Sequence, residues 1–126
     1  MISCSIDHIH LRSADPVAAS RFYIEHFGAT EVRRVMNGQA LRVVLSLAGL
    51  TLFIEEVPAT TPLPPHWPFI GIEHIGLTVQ DVTAAVAELR AKGVTIEQDV
   101  TKLNDTLHIA FLIGPDRVRI ELLQRG

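Results

Sequence analysis

At 126 residues, 48% of them apolar and 20% charged, the chain is long enough for one ordinary domain. Its net charge of −3 excludes the electrostatic footprint of a nucleic-acid binder, and its uncharged apolar stretch, residues 43–54, is interrupted at Gly49 and too short to span a bilayer. Cys4 is the single cysteine, which excludes an intrachain disulfide or a cysteine-rich zinc site, and the start lacks a basic, apolar signal pattern, so a cytoplasmic protein is expected.

Residues 4–12 alternate as a strand. Asp15 then caps a helix that has Pro16 at its first position, runs over residues 17–27 and ends at Gly28. Residues 30–36 and 40–47 read as strands joined at Asn37-Gly38, a strong hairpin signal, and residues 50–57 make a fourth strand after Gly49. Five of the seven prolines (58, 62, 64, 65 and 68) fall in the connector that follows, beside His66 and Trp67. Residues 72–79 begin the order again. Asp81 caps a helix over 82–92 that ends at Gly93, and residues 94–101, 107–113 and 118–124 supply three more strands, with Gly114-Pro115-Asp116 as a turn.

The fold class is therefore α+β, a βαβββ module written twice: module one 1–57, a Pro-rich linker 58–71 and module two 72–126. Each half alone holds only a marginal core, which predicts a single shared domain.

The repeat carries chemistry. His8 and Glu55 recur as His74 and Glu121 at one offset (74 − 8 = 66; 121 − 55 = 66). Two imidazoles and two carboxylates are a ligand set for a six-coordinate divalent metal with positions left open for substrate. Strand parity puts His10 on the face of His8, either lining a pocket or supporting a ligand, and Arg119 on the face of Glu121, pairing with it or binding an anionic substrate. Glu56 lies on the opposite face from Glu55. His108 matches Arg42 at the same offset and reads as an ordinary strand position.

These features, with His8-Ile9-His10-Leu11-Arg12 followed by Asp15, Phe22-Tyr23 to Phe27-Gly28, and Arg119-Ile120-Glu121-Leu122, resemble the vicinal-oxygen-chelate superfamily. That group includes glyoxalase I, methylmalonyl-CoA epimerase, extradiol dioxygenases, fosfomycin-resistance transferases and bleomycin-binding (resistance) proteins. The resemblance implies a partly open eight-stranded barrel around a metal site, with His8, Glu55, His74 and Glu121 as metal ligands. It implies nickel, cobalt, zinc or manganese for a glyoxalase-I-type lyase, isomerase or epimerase, and iron for a dioxygenase. Glu121 is then the first choice for the catalytic base and Glu55 the alternative. Arg12 matches a residue that holds a glutathione carboxylate; read by itself it is a surface Arg closing a strand. The implied partners are a small α-oxygenated carbonyl compound or its glutathione or CoA conjugate, and a second copy of the chain in a homodimer. Neither nucleic acid nor membrane is expected as a partner. A non-catalytic small-molecule-binding protein is the alternative from another class.

Overall fold

The computed structural model describes all 126 residues, which divide into two compact units, Met1–Pro62 and Leu63–Gly126. The boundary falls inside the Pro-rich connector.

In the first unit, β1 (Ile9–Ser13), α1 (Pro16–Phe27), β2 (Thr30–Asn37), β3 (Ala40–Leu47) and β4 (Leu50–Glu56) form a sheet of order β1-β4-β3-β2. In the second, β5 (His74–Thr78), α2 (Val82–Ala91), β6 (Thr95–Asn104), β7 (Leu107–Ile113) and β8 (Arg119–Arg125) form β5-β8-β7-β6. Each first strand runs parallel to the last strand of its unit, and the other pairings are antiparallel. The expected α+β class and the doubled βαβββ order are what the structure contains.

Local chemistry accounts for the helices. Asp15 accepts a hydrogen bond from Ala18 N at 3.1 Å, Pro16 opens α1, and Gly28 closes it in the left-handed region (φ 70°). Asp81 accepts from Ala84 N at 2.9 Å and opens α2 in the same way. Replacing either Asp by Ala is expected to lower stability by about 1 kcal/mol, with a range of about 0.5–2. Urea titration followed by circular dichroism checks it, and an unchanged midpoint in both variants would remove the caps from the account.

Each unit has its own core. Tyr23 of α1 packs with Val43, Leu45, Leu47, Leu52 and Ile54 of β3 and β4, all essentially inaccessible to solvent. Val82, Val86 and Leu89 of α2 do the same with Leu112, Ile120 and Leu122. Alternation then sends Phe53 and Glu55, and likewise Arg119 and Glu121, to the other face of their sheets.

Three local details depart from expectation. The first strand begins at Ile9 rather than at residue 4, and β5 begins at His74 rather than at residue 72. Both are edge strands with a single neighbour, and residues 1–8 are exposed with no ladder to hold a pleat. The predicted hairpin is present, but its loop is Gly38-Gln39, with Gly38 at φ 64° and Asn37 paired to Ala40 as the last strand residue.

Candidate metal centre and its two histidine–carboxylate pairs

In the first unit, His8 stacks on Phe53 with ring centroids 3.9 Å apart, and His10 meets the same ring edge-on at 6.1 Å. Glu55 is only 6% exposed. Its Oε1 accepts hydrogen bonds from Asn37 Nδ2 (3.2 Å) and Arg42 Nε (2.9 Å), with Arg42 Nη2 2.8 Å away. Its Oε2 faces His10 Nε2 at 3.9 Å. Glu55 is thus gripped through one oxygen and offers the other. The hydrogen bond from Asn37, then that from Arg42, holds its carboxyl below the ordinary carboxylate range. His10 is pushed down from the usual imidazole value, chiefly by burial and against the pull of Glu55.

A carboxyl held low stabilises the fold above its unfolded-state pKa, and that contribution is lost as pH falls through the folded value. Asn37→Ala is therefore expected to raise the Glu55 titration toward the ordinary range and to shift acid unfolding to higher pH. Carboxyl-carbon NMR titration reads this directly, and an unmoved Glu55 resonance would contradict it.

In the second unit, His74 Nε2 stands 3.2 Å from Glu121 Oε1, and the imidazole meets Phe111 edge-on at 5.3 Å. His74 Nδ1 is 3.0 Å from Glu73 Oε1. Arg119 does not reach out as a free cation. Its Nη1 donates to Glu73, its Nη2 lies 3.2 Å from Glu97 Oε2, and its guanidinium lies 3.8 Å from the Phe111 centroid and 5.3 Å from that of Trp67. Trp67 Nε1 in turn donates to Glu97 at 3.1 Å. The connector aromatic thus anchors this charge network. Hydrogen bonds from His74 first and Arg119 second hold the Glu73 carboxyl low.

Sheet register separates the two modules where the sequence repeat equates them. Arg42 is the cross-strand partner of Glu55, but Phe111 is the partner of Glu121, so the equivalent positions differ by 69 rather than 66 (111 − 42 = 69; 121 − 55 = 66). Two residues (48 and 49) join β3 to β4, whereas five (114–118) join β7 to β8, which accounts for the three-residue slip. An odd slip also changes the face on which each residue points. His108, expected to match Arg42, instead pairs with Lys102 and Gln124. The parallel pairings slip as well: Arg12 lies opposite Glu55, and Gly76 opposite Glu121. As a result His10, rather than His8, occupies the register position that His74 holds in its own sheet.

Among the sequence candidates, the structure brings together His74 with Glu121 and His10 with Glu55, and places His8 on Phe53 beside them. Arg12 is exposed and makes no ion pair, and Glu56 is exposed, accepting weakly from Leu41 N at 3.4 Å. Asn37, Arg42, Glu73 and Glu97 went unassigned in the sequence. Of these, only Glu73 carries a signal there, as an acid beside a repeated His.

The spacing of one pair, His74 and Glu121, suits two ligands of a divalent cation. Two ligands about 2.0–2.2 Å from one ion and at right angles to each other stand about 3 Å apart, close to the His74 Nε2–Glu121 Oε1 spacing. No group of three or more His, Cys, Asp or Glu side chains comes together in the structure as a metal-sized cluster.

The chain is similar to proteins of known class over most of its length. It is 31% identical to a probable lactoylglutathione lyase of Vibrio cholerae, covering 93% of this chain and 88% of that one. A putative lactoylglutathione lyase of Brassica oleracea is also 31% identical over 94% of the chain, which spans only 44% of that relative's length. Among solved structures, the trypanothione-dependent glyoxalase I of Leishmania major superposes with a TM-score of 0.76 at 25% identity, covering 97% of this chain and 87% of that one. The family description glyoxalase/bleomycin resistance protein/dioxygenase superfamily matches residues 5–122. The chain belongs to that superfamily.

Proposed function

We propose that the protein is a divalent-metal-dependent lyase or isomerase of the glyoxalase I type, with His8, Glu55, His74 and Glu121 as the metal ligands. The observation that carries this reading is the His74–Glu121 pair, set at ligand spacing on one sheet face and matched in the other module by His10 beside Glu55, with His8 stacked on the neighbouring Phe53. Similarity to lactoylglutathione lyases at about 30% identity supports the same class.

A bound divalent ion supplies Lewis acidity to adjacent substrate oxygens and favours loss of the α-proton. The residues divide the remaining work. Glu55, gripped through Oε1 by Asn37 and Arg42, is the fixed carboxylate. Glu121 has no arginine on it and stands only against His74, which leaves it free to accept the proton and return it at a neighbouring carbon. Arg12, exposed and unpaired, is the anchor for an anionic tail such as a thiol-conjugate carboxylate. His10, held neutral by burial, lines the site without adding charge. Arg119 is already occupied by two carboxylates, so its part is to hold the site together rather than to bind substrate.

The grip on Glu55 also favours a second reading. If that carboxylate stays with Arg42, the remaining His8, His74 and Glu121 form the two-His, one-carboxylate set of an iron dioxygenase. Elemental analysis of protein purified without chelators separates the readings. Near-stoichiometric nickel, cobalt, zinc or manganese, lost from Glu55→Gln and weakened in Glu121→Gln, is the expected result. Iron that tolerates Glu55→Gln points to the dioxygenase, and no metal after reconstitution points to a binding protein. Parallel His8→Ala and His10→Ala variants show which imidazole of the first unit is the ligand.

A further inference from the structure

Each repeated histidine has an acid immediately before it, Asp7 before His8 and Glu73 before His74, again 66 residues apart (73 − 7 = 66). In both modules that acid turns onto the Nδ1 of its own histidine. Asp7 Oδ2 lies 2.6 Å from His8 Nδ1, and Glu73 Oε1 lies 3.0 Å from His74 Nδ1. Neighbouring residues within a pleated strand point to opposite faces and cannot meet in this way. The contact exists because β1 begins only at Ile9 and β5 only at His74, so both acids sit just outside the ladder.

A carboxylate only accepts hydrogen bonds, so the ring nitrogen facing it carries the proton. We propose that Asp7 and Glu73 are positioning residues that hold His8 and His74 as Nδ1–H imidazoles, leaving each Nε2 lone pair to serve as the metal donor. This rests on the reading of these histidines as ligands. His74 has a carboxylate near each nitrogen, but only the Nδ1 contact with Glu73 is aligned as a hydrogen bond; Glu121 Oε1 approaches Nε2 to 3.2 Å without that alignment, so the ring proton belongs on the Glu73 side. The ordinary preference of a free neutral imidazole in water is the opposite, Nε2–H, so the acids impose a choice the rings would not make alone. A carboxylate on the far nitrogen also makes the metal-facing nitrogen a better donor.

The two devices are not equally rigid. Glu73 is itself clamped by Arg119, which Glu97, Phe111 and Trp67 hold in place, whereas Asp7 is 88% exposed and held by nothing but the ring. Glu73 therefore fixes His74 strongly, while Asp7 biases His8 more weakly.

The test uses metal-free full-length protein labelled with nitrogen-15 on histidine, at a pH high enough to make the rings neutral. Long-range proton–nitrogen correlation spectra give the tautomer of each ring without metal or substrate. The expected result is Nδ1–H for His74 and a majority of Nδ1–H for His8. Glu73→Ala and Asp7→Ala are each expected to return their own ring to Nε2–H. Glu73→Gln, which keeps a carbonyl acceptor, is expected to preserve the parent tautomer. Calorimetric titration with zinc or nickel should then show affinity weakened about 10- to 100-fold in Glu73→Ala and much less in Glu73→Gln. Nε2–H rings in the parent protein, or an unchanged tautomer in Glu73→Ala, overturn the proposal. A folded parent chain that binds no divalent metal sinks the ligand reading instead, while the tautomer spectra still decide whether the acids orient the rings.

Discussion

Glu121→Gln is expected to lower turnover of a 2-oxoaldehyde hemithioacetal by about 10²–10⁴-fold, the usual contribution of a positioned general base. The substitution keeps shape and hydrogen-bonding capacity but removes the basic oxygen, so circular dichroism and the unfolding midpoint should barely change. The effect should appear in kcat far more than in KM, because proton transfer belongs to the transition state rather than to substrate binding. Glu55→Gln is expected to act differently. Its Oε1 is tied to Asn37 and Arg42, so the change releases a held ligand and shows first as lost metal. Stopped-flow ultraviolet kinetics on metal-saturated protein separates the two variants. Full turnover by Glu121→Gln would remove it as the base and transfer that role to Glu55.

Leu52→Ala is expected to cost about 2–5 kcal/mol of folding stability, the largest effect anticipated for a residue outside the site. Leu52 is fully inaccessible and lies between Ile9 of β1 and Leu45 of β3, in the core shared with α1. Truncation removes buried methyl groups and leaves a cavity that three paired strands cannot collapse to fill. Because Phe53 and Glu55 are carried on the opposite face of the same strand, the loosened strand should also weaken metal binding at temperatures near the new transition. Guanidinium denaturation with fluorescence and circular dichroism measures the loss. A change below about 0.5 kcal/mol, the range of ordinary surface substitutions, would mean this face is not the core.

The sequence by itself determined what depends on local chemistry or on repetition. Asp15 and Asp81 announce their helices because a capping carboxylate acts over three residues, and both caps are present. Strand number and order were legible because apolar alternation and glycine turns are local signals too. The repeat of His8 and Glu55 as His74 and Glu121 named the candidate site, because a duplication copies residue types along with elements.

Only the tertiary structure decided which of those residues meet. Register across a sheet is set by the length of the connection and by packing between distant strands, and neither leaves a trace at the residues themselves. Three additional residues between β7 and β8 put Phe111 where Arg42 stands in the first unit, so one glutamate is gripped and its copy is left free. A slip in the parallel pairings brings His10 into the register of His74. The late start of β1 and β5 turns Asp7 and Glu73 onto their histidines, where a continuous pleat would have kept them on opposite faces. Residue identity fixed the donors available to the site, and strand registration fixed their division of labour, because a hydrogen-bond ladder places side chains by pairing rather than by sequence offset.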